Sequence, residues 1–366
     1  MGLLDYYRQF EGMSQEEINE GLREEAAERR RKALTQVDAL DLSQTAWPAL
    51  PDPRIVNAIT YVARRGLHRY PPRSGIELRE ALGERHGVDP ARVVIGNGSA
   101  ELLGAAARAL IEPGQRLLTR WPSYPLFPIM ARRAQGRAVA VTGGVEELLA
   151  EARGEGTRVI ALASPNDPTG ELLAGGTLER LLGELPDNVA VLLDESLVEF
   201  ADAQPTDSSI ALLESHSRLL VFRSFSKAWG LAGLRVGYVI GGPGAEELLG
   251  ELEPDLGLSE ISEAGVLEAL RSCSDDLVLR VRGVGEERVR LTAALRARGF
   301  EVAESQANFV WAAHPALAGD ELAGRLARAG VLVASGAALD EPRHVRIAVQ
   351  SPSASARLLD ALAGVL

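Results

Sequence analysis

The sequence predicts an α/β protein. A large domain is built on a mixed, mostly parallel sheet covered by helices, and a smaller α+β domain follows it at the C-terminus. Three observations carry this expectation. From about residue 54 to 245, short apolar runs alternate with helical patterns, the rhythm of strands joined by crossover helices. Beyond about residue 250 that rhythm gives way to a long helical region and a few scattered strands. A chain of 366 residues also exceeds what one hydrophobic core usually organises.

Taken in order, the chain opens with a charged segment. Ser14-Gln-Glu-Glu17 has the pattern of a capping box, and the residues to about 35 read as a helix with few apolar positions, Ile18, Leu22 and Ala26 among them. A solvated helix is the plain reading. Trp47-Pro-Ala-Leu-Pro-Asp-Pro53 reads as an extended linker. Residues 1–53 therefore form an arm and linker, 54–250 the large domain and 251–366 the small one. Strands are expected at Val93–Ile95, Leu117–Leu118, Val139–Val141, Val159–Leu162, Val189–Leu193, Leu219–Phe222 and Val236–Ile240, with amphipathic helices over 99–112 and 177–185 among those between them. In the second part, 261–298, 319–329 and 354–365 read as helices, and Asn308–Ala312, 331–333 and 344–349 as strands.

Composition narrows the function class. A formal net charge of −12 argues against nucleic acid or an anionic membrane as the main partner, since both require a basic face. The single cysteine, Cys273, allows no internal disulfide and fits a reducing compartment. The N-terminus lacks the apolar core of a signal peptide, with Asp5, Arg8 and Glu11 all early. A cytoplasmic protein is expected, and no metal-ligand pattern stands out.

One residue invites a chemical question. Among 39 lysines and arginines only Lys32 and Lys227 are lysines, and Lys227 lies in the tight run Ser224-Phe-Ser-Lys-Ala-Trp-Gly-Leu-Ala-Gly-Leu-Arg-Val-Gly237. Lysine can lose its proton and act as a nucleophilic amine, which guanidinium cannot. Schiff-base chemistry is the leading use of that property. Ser224, Ser226 and Arg235 are suited to phosphate oxygens. Gly96-Asn-Gly-Ser-Ala-Glu101 is a Gly-rich turn opening a helix, and the N–H groups of Ser99 and Ala100 form either an anion site or an ordinary helix start. Asp194 closes an apolar strand, where a carboxylate needs a partner or caps a helix. Arg346 interrupts the apolar strand His344-Val-Arg-Ile-Ala-Val349, and Tyr124 follows a strand in Trp121-Pro-Ser-Tyr124.

These motifs together resemble the fold-type-I, class I/II aminotransferases that depend on pyridoxal 5'-phosphate (PLP), most of all the histidinol-phosphate aminotransferase branch. The resemblance runs along most of the chain. It implies the fold-type-I architecture, PLP as cofactor, and Lys227 and Asp194 as the catalytic pair. Lys227 carries the cofactor and Asp194 meets the ring nitrogen, keeping the ring protonated as an electron sink. It further implies Ser99, Ala100, Ser224, Ser226 and Arg235 around the phosphate and Tyr124 stacked on the ring. By the same resemblance Tyr70 is expected to reach the phosphate of a neighbouring subunit, so that the active site would be shared by a homodimer, with the N-terminal segment lying on the partner as the alternative to a solvated helix. Arg346 clasps the substrate carboxylate through a bidentate fork, with Asn308 nearby. The expected reaction moves an amino group between an amino acid, or an amine such as histidinol phosphate, and a 2-oxo acid. A decarboxylase or oxidase on the same scaffold, or a relative that binds PLP without turnover, are the alternatives.

Three positions depart from the family pattern. In Ser164-Pro-Asn-Asp-Pro-Thr-Gly170 the second amide is Asp167, and Leu197 stands where the family has tyrosine. Both usual donors to the ring hydroxyl oxygen are thereby altered, leaving Asp167 to donate when protonated or Asn166 to swing in. Thr45-Ala-Trp-Pro-Ala-Leu50 replaces the family's Asn-Glu-Asn-Pro-Leu-Gly. This puts a tryptophan where polar groups would meet an imidazole and makes an apolar or aromatic amino acid a plausible substrate.

Overall fold

The computed structural model describes residues 38–71 and 75–366. The expected helix over residues 14–35 and most of the arm lie outside the described residues. From Leu42 to Asp52 the chain has no helix or strand, in keeping with its prolines. Pro53 then opens helix α1 (Pro53–Gly66), with the Asp52 side chain accepting from Arg54 N. Proline suits this position because its missing N–H would be unpaired there anyway.

All seven strands expected in the large domain form, and they make one sheet. They are β1 (Val93–Gly96), β2 (Arg116–Arg120), β3 (Arg137–Val141), β4 (Thr157–Ala163), β5 (Ala190–Asp194), β6 (Leu219–Ser224) and β7 (Gly237–Gly241). Their spatial order is β1-β7-β6-β5-β4-β2-β3. Six strands point the same way, and β7 alone is reversed, antiparallel to both its neighbours β1 and β6. The central strands β5, β6 and β7 are buried throughout, which is why they read as continuous apolar runs. Helix α2 (Ser99–Leu110) lays Leu102, Leu103, Ala106 and Ala107 on one face of this sheet, against Val159, Leu192, Leu220 and Phe222.

The C-terminal part adds an antiparallel sheet of β8 (Glu301–Val302), β9 (Phe309–Ala313), β10 (Ala334–Ser335) and β11 (His344–Ala348), in the order β10-β11-β9-β8. Its two outer strands are too short for their pattern to be visible in sequence. The helical region expected over 261–298 is two helices, Glu260–Ser272 and Ser274–Arg296, because Cys273 leaves the helical conformation at φ −120° and ψ 17°. No described helix is long and apolar enough to cross a membrane.

Within the large sheet, β6 carries a charge. Arg223 is 1% exposed, and its Nε and Nη2 donate to Glu195 Oε2 at 3.1 and 2.8 Å while Nη1 donates to Asp207 Oδ1 at 2.6 Å. A guanidinium survives such burial only when paired on this scale. Glu199, nearby in charge terms, fares less well. Its Oε2 has no hydrogen-bond partner, and burial pushes its carboxyl up to about 7. Below its ordinary value of 4.5 the group is protonated in both folded and unfolded chains. Between 4.5 and about 7 only the unfolded chain releases the proton, so this group lowers stability as pH rises through that window. Glu199→Gln is therefore expected to match the parent at pH 4 and to exceed it by roughly 2–3 kcal/mol at pH 8. Urea unfolding at both pH values checks this, and an equal gap at the two would count against it.

Candidate active site

Three parallel strands end level with one another. Ala163 of β4 pairs with Asp194 of β5, and Asp194 with Phe222 of β6. The loops leaving those strands, which carry Asp167, Leu197 and Lys227, thus emerge at one edge. In open α/β sheets the crevice beyond the carboxyl ends of the strands is the usual ligand site. Here it holds a cavity of about 270 Å³. Ser99, Ala100, Tyr124, Asp167, Asp194, Ser224, Ser226, Lys227 and Arg235 all line it. Nine of the twelve residues singled out in the sequence therefore meet in one place.

One end of the cavity is built from backbone. Gly98 has φ 95° and turns the chain into α2, so the first N–H groups of that helix are unpaired donors. A Cβ on Gly98 would lie 2.7 Å from Arg235 Nη2, and one on Gly237 would lie 2.2 Å from Ser99 N. Both glycines are needed for the close approach of β7, the helix start and Arg235. Arg235 itself has a left-handed backbone at φ 55°, a conformation that costs a residue with a Cβ about 1–2 kcal/mol. Its Nη1 donates to Ala232 O at 3.0 Å and approaches Ser226 Oγ at 3.4 Å. Ser224 Oγ accepts from Ser226 N at 3.1 Å. The result is a cluster of N–H, hydroxyl and guanidinium donors suited to an anion.

Asp194, 6% exposed, supplies the acid. Burial raises its carboxyl above the usual carboxylate range, opposed by the hydrogen bonds from Ser196 and by the charge of Lys227. Ser196 N and Oγ donate to Asp194 Oδ1 at 2.9 and 2.6 Å. Ser196 Oγ also lies 3.1 Å from Ser99 Oγ, which links the acid to the helix start. Lys227 Nζ donates to Thr45 Oγ1 at 2.5 Å. Burial pulls its amine below the ordinary lysine value; Asp167 and Asp194 oppose that fall, while Arg346 and Arg235 assist it. A lysine held in this way releases its proton more readily than one in water. Tyr124 packs edge-on against Phe127, with ring centroids 5.8 Å apart, which leaves part of its ring for the cavity.

Three of the expected residues lie elsewhere. Tyr70 is 91% exposed and does not line this cavity. Asn308 is buried, its Nδ2 donating to Thr45 O at 2.9 Å. Arg346 sits behind Asp167, with Nη1 donating to Asp167 Oδ1 at 2.5 Å and Nη2 to Ser43 O at 2.9 Å. Asn166 does not swing in. It accepts from Ser123 Oγ at 2.7 Å and donates to Pro122 O and Thr169 Oγ1, so its amide is fully used in holding the loop. Trp47 is also absent from the wall. It stacks under Arg280, 5.0 Å from the ring centroid, and Gln44 and Ala46 line the cavity instead. Trp47 faces Arg280 and not the cavity, so its effect on substrate choice is not direct. Thr45 and Ser196 were not singled out for the site. A hydroxyl two residues after a buried aspartate is a recognisable signal for Ser196, whereas nothing local marks Thr45, whose partner is 182 positions away.

Comparisons with known proteins agree with this geometry. The family described as aminotransferase class I and II matches residues 37–362. A histidinol-phosphate aminotransferase from Nitrosococcus oceani is 33% identical over 333 residues, spanning 90% of this chain and 89% of that protein. An aromatic amino acid aminotransferase from Streptomyces coelicolor is 35% identical over 278 residues, spanning 75% and 77%. Among solved structures, the histidinol-phosphate aminotransferase from Sinorhizobium meliloti in complex with pyridoxal-5'-phosphate superposes with a TM-score of 0.81 at 27% identity, covering 93% of each chain. The donor set here suits that cofactor: an anion cradle that a Cβ at Gly98 or Gly237 would fill, a buried carboxyl for a ring nitrogen, and a lysine for an aldehyde. This chain belongs to the class I and II aminotransferases, and its cofactor is pyridoxal 5'-phosphate.

Proposed function

We propose that this aminotransferase moves an amino group from an amino acid or amine bearing an aromatic or imidazole side chain to a 2-oxo acid, as a homodimer in the cytoplasm. The observation that best supports the reading is the meeting of Lys227, Asp194 and Arg235 in one cavity. The substrate class follows the names of the relatives and a wall that includes Tyr124, Leu197 and Ala46. A division into 1–53, 54–250 and 251–366 accompanies this reading, with most of the cavity lining in the middle part and Gln44 and Ala46 from the first.

Bound pyridoxal phosphate supplies an electrophilic aldehyde carbon and a ring that withdraws electrons. Ser99 N, Ala100 N, Ser224, Ser226 and Arg235 hold its phosphate, and Tyr124 covers its ring. Asp194 keeps a proton on the ring nitrogen, and Ser196 fixes the acid in place. Lys227 would hold the aldehyde carbon at rest, and its amine would serve as base and then acid for the proton on the carbon that bears the amino group. Water would supply the oxygen of the departing oxo compound, and a second oxo acid would receive the amino group with release of water, the same residues acting in reverse. Arg346 and Asn308 are assigned to the substrate end. Leu197 donates nothing, so the ring hydroxyl oxygen has only Asp167 as a neighbouring polar group from these two positions.

The homodimer rests on Tyr70. Its 91% exposure suits a side chain whose partner is another subunit's phosphate, and Tyr61, Leu67 and Ile76 on the same stretch are exposed apolar residues that a second copy would cover. The reducing compartment rests on Cys273, which is free and buried.

Three outcomes test the reading. Borohydride reduction in the presence of PLP should place cofactor mass on the peptide containing Lys227, and Lys227→Ala should lose both that mass and about 10²–10⁴-fold in turnover. Mass found on another peptide would end the assignment. Gly237→Ala should weaken PLP binding by about an order of magnitude, because one charge-assisted contact to phosphate is worth roughly 1.5–3 kcal/mol. Gly233→Ala, whose added Cβ meets nothing within 4 Å, should leave the affinity unchanged in the same absorbance titration. Sedimentation should find a dimer, and Tyr70→Phe should raise the dissociation constant for PLP without dissociating the subunits; a monomer with full activity would refute the shared site.

A further inference from the structure

Arg346 is held from three sides. It lies in β11, paired with Trp311 of β9 and Ala334 of β10, and its guanidinium stands over the Phe309 ring at 5.5 Å. Nη1 donates to Asp167 Oδ1 at 2.5 Å and Nη2 to Ser43 O at 2.9 Å, while Nε is buried without an acceptor. Asp167 lines the cavity and Arg346 does not. Anything entering from the cavity therefore meets a carboxylate first, with the arginine behind it already neutralised. Arg235, the arginine that does line the cavity, is committed to the cofactor phosphate on the reading above. Among the described residues that line the cavity there is no second arginine for a substrate anion.

The geometry points to Asp167 as an internal competitor for Arg346, which makes it a specificity-determining residue. Amines without a carboxylate, such as amino alcohols, bind with the Asp167–Arg346 pair intact. Substrates with a carboxylate bind only after the pair opens, and they then face the displaced Asp167. Two carboxylates cannot share one guanidinium fork without repulsion. This inference rests on the proposed aromatic side-chain class, which decides the probes.

The test uses the PLP-loaded enzyme and two unreactive probes of one shape, 3-phenylpropionate and 3-phenylpropanol, with binding measured by calorimetry. The parent enzyme is expected to bind the alcohol at least as tightly as the carboxylate. Asp167→Asn and Asp167→Ala are each expected to bind the carboxylate about tenfold more tightly or better, the scale of one charge-assisted hydrogen bond. Their affinity for the alcohol should stay within about twofold of the parent's. The inference is overturned by a parent enzyme that prefers the carboxylate about tenfold, by variants with unchanged, weaker or no carboxylate binding, or by a gain in Asp167→Asn that Asp167→Ala lacks. That last result would credit the new amide donor and not the removed competitor. Neither probe carries an amine, so the measurement is independent of turnover. A protein that transfers no amino group still reports the competition, and an active aminotransferase without the shift fails this inference alone.

Discussion

The level ending of three parallel strands is the constraint on which the site depends. Because Ala163, Asp194 and Phe222 share one row of the sheet, the loops after them emerge side by side. Two residues beyond that row, antiparallel β7 brings Gly237 beside both Ser224 and Gly96, which places the anion cradle next to the lysine loop. A shift of one residue in any of these pairings would turn Asp194 to the opposite face of the sheet. The buried polar groups oppose such a slip, because it would break the ion pairs of Arg223 on β6 and the hydrogen bonds of Ser196 to Asp194 on β5.

The charges at the site are arranged to hold one another in unusual states. Asp194 is raised by burial and Lys227 lowered by it, and each charge moderates the other's shift. Ser196 adds two donors to one oxygen of Asp194, which keeps the acid ionisable despite its surroundings. Asp167 acts on both groups, and its own charge is balanced by Arg346. A second charged cluster under the sheet, centred on Arg223 and Glu195, is separate in its partners and serves to anchor the strand end from which the lysine loop departs.

Much of this was legible in the sequence, for local reasons. Strands buried on both faces are apolar runs, and the central ones are visible as such, while the mostly exposed edge strand β3 shows only through Val139–Val141. Lys227, Asp194 and Arg235 were visible because a lone lysine, a carboxylate closing an apolar strand and an arginine in a glycine-rich run are each unusual in place. What could not be read were contacts between distant segments. Thr45 against Lys227 and Asp167 against Arg346 join residues 182 and 179 positions apart, and neither leaves a trace in its own neighbourhood. The tryptophan at 47 was misplaced for a related reason: without regular structure from Leu42 to Asp52, no periodicity says which side chains face inward. The two-residue strands at 301 and 334 fall below any periodic signal.

The segment Ser43–Thr45 gathers several of these threads. Its carbonyls take hydrogen bonds from Arg346 and Asn308, and its threonine hydroxyl takes one from Lys227. Three side chains from three distant parts of the chain are thus moored to three consecutive residues that belong to no helix or strand. Lengthening this mooring by a single residue would slacken all three lines together, so a stretch without regular structure carries a strict demand on its length.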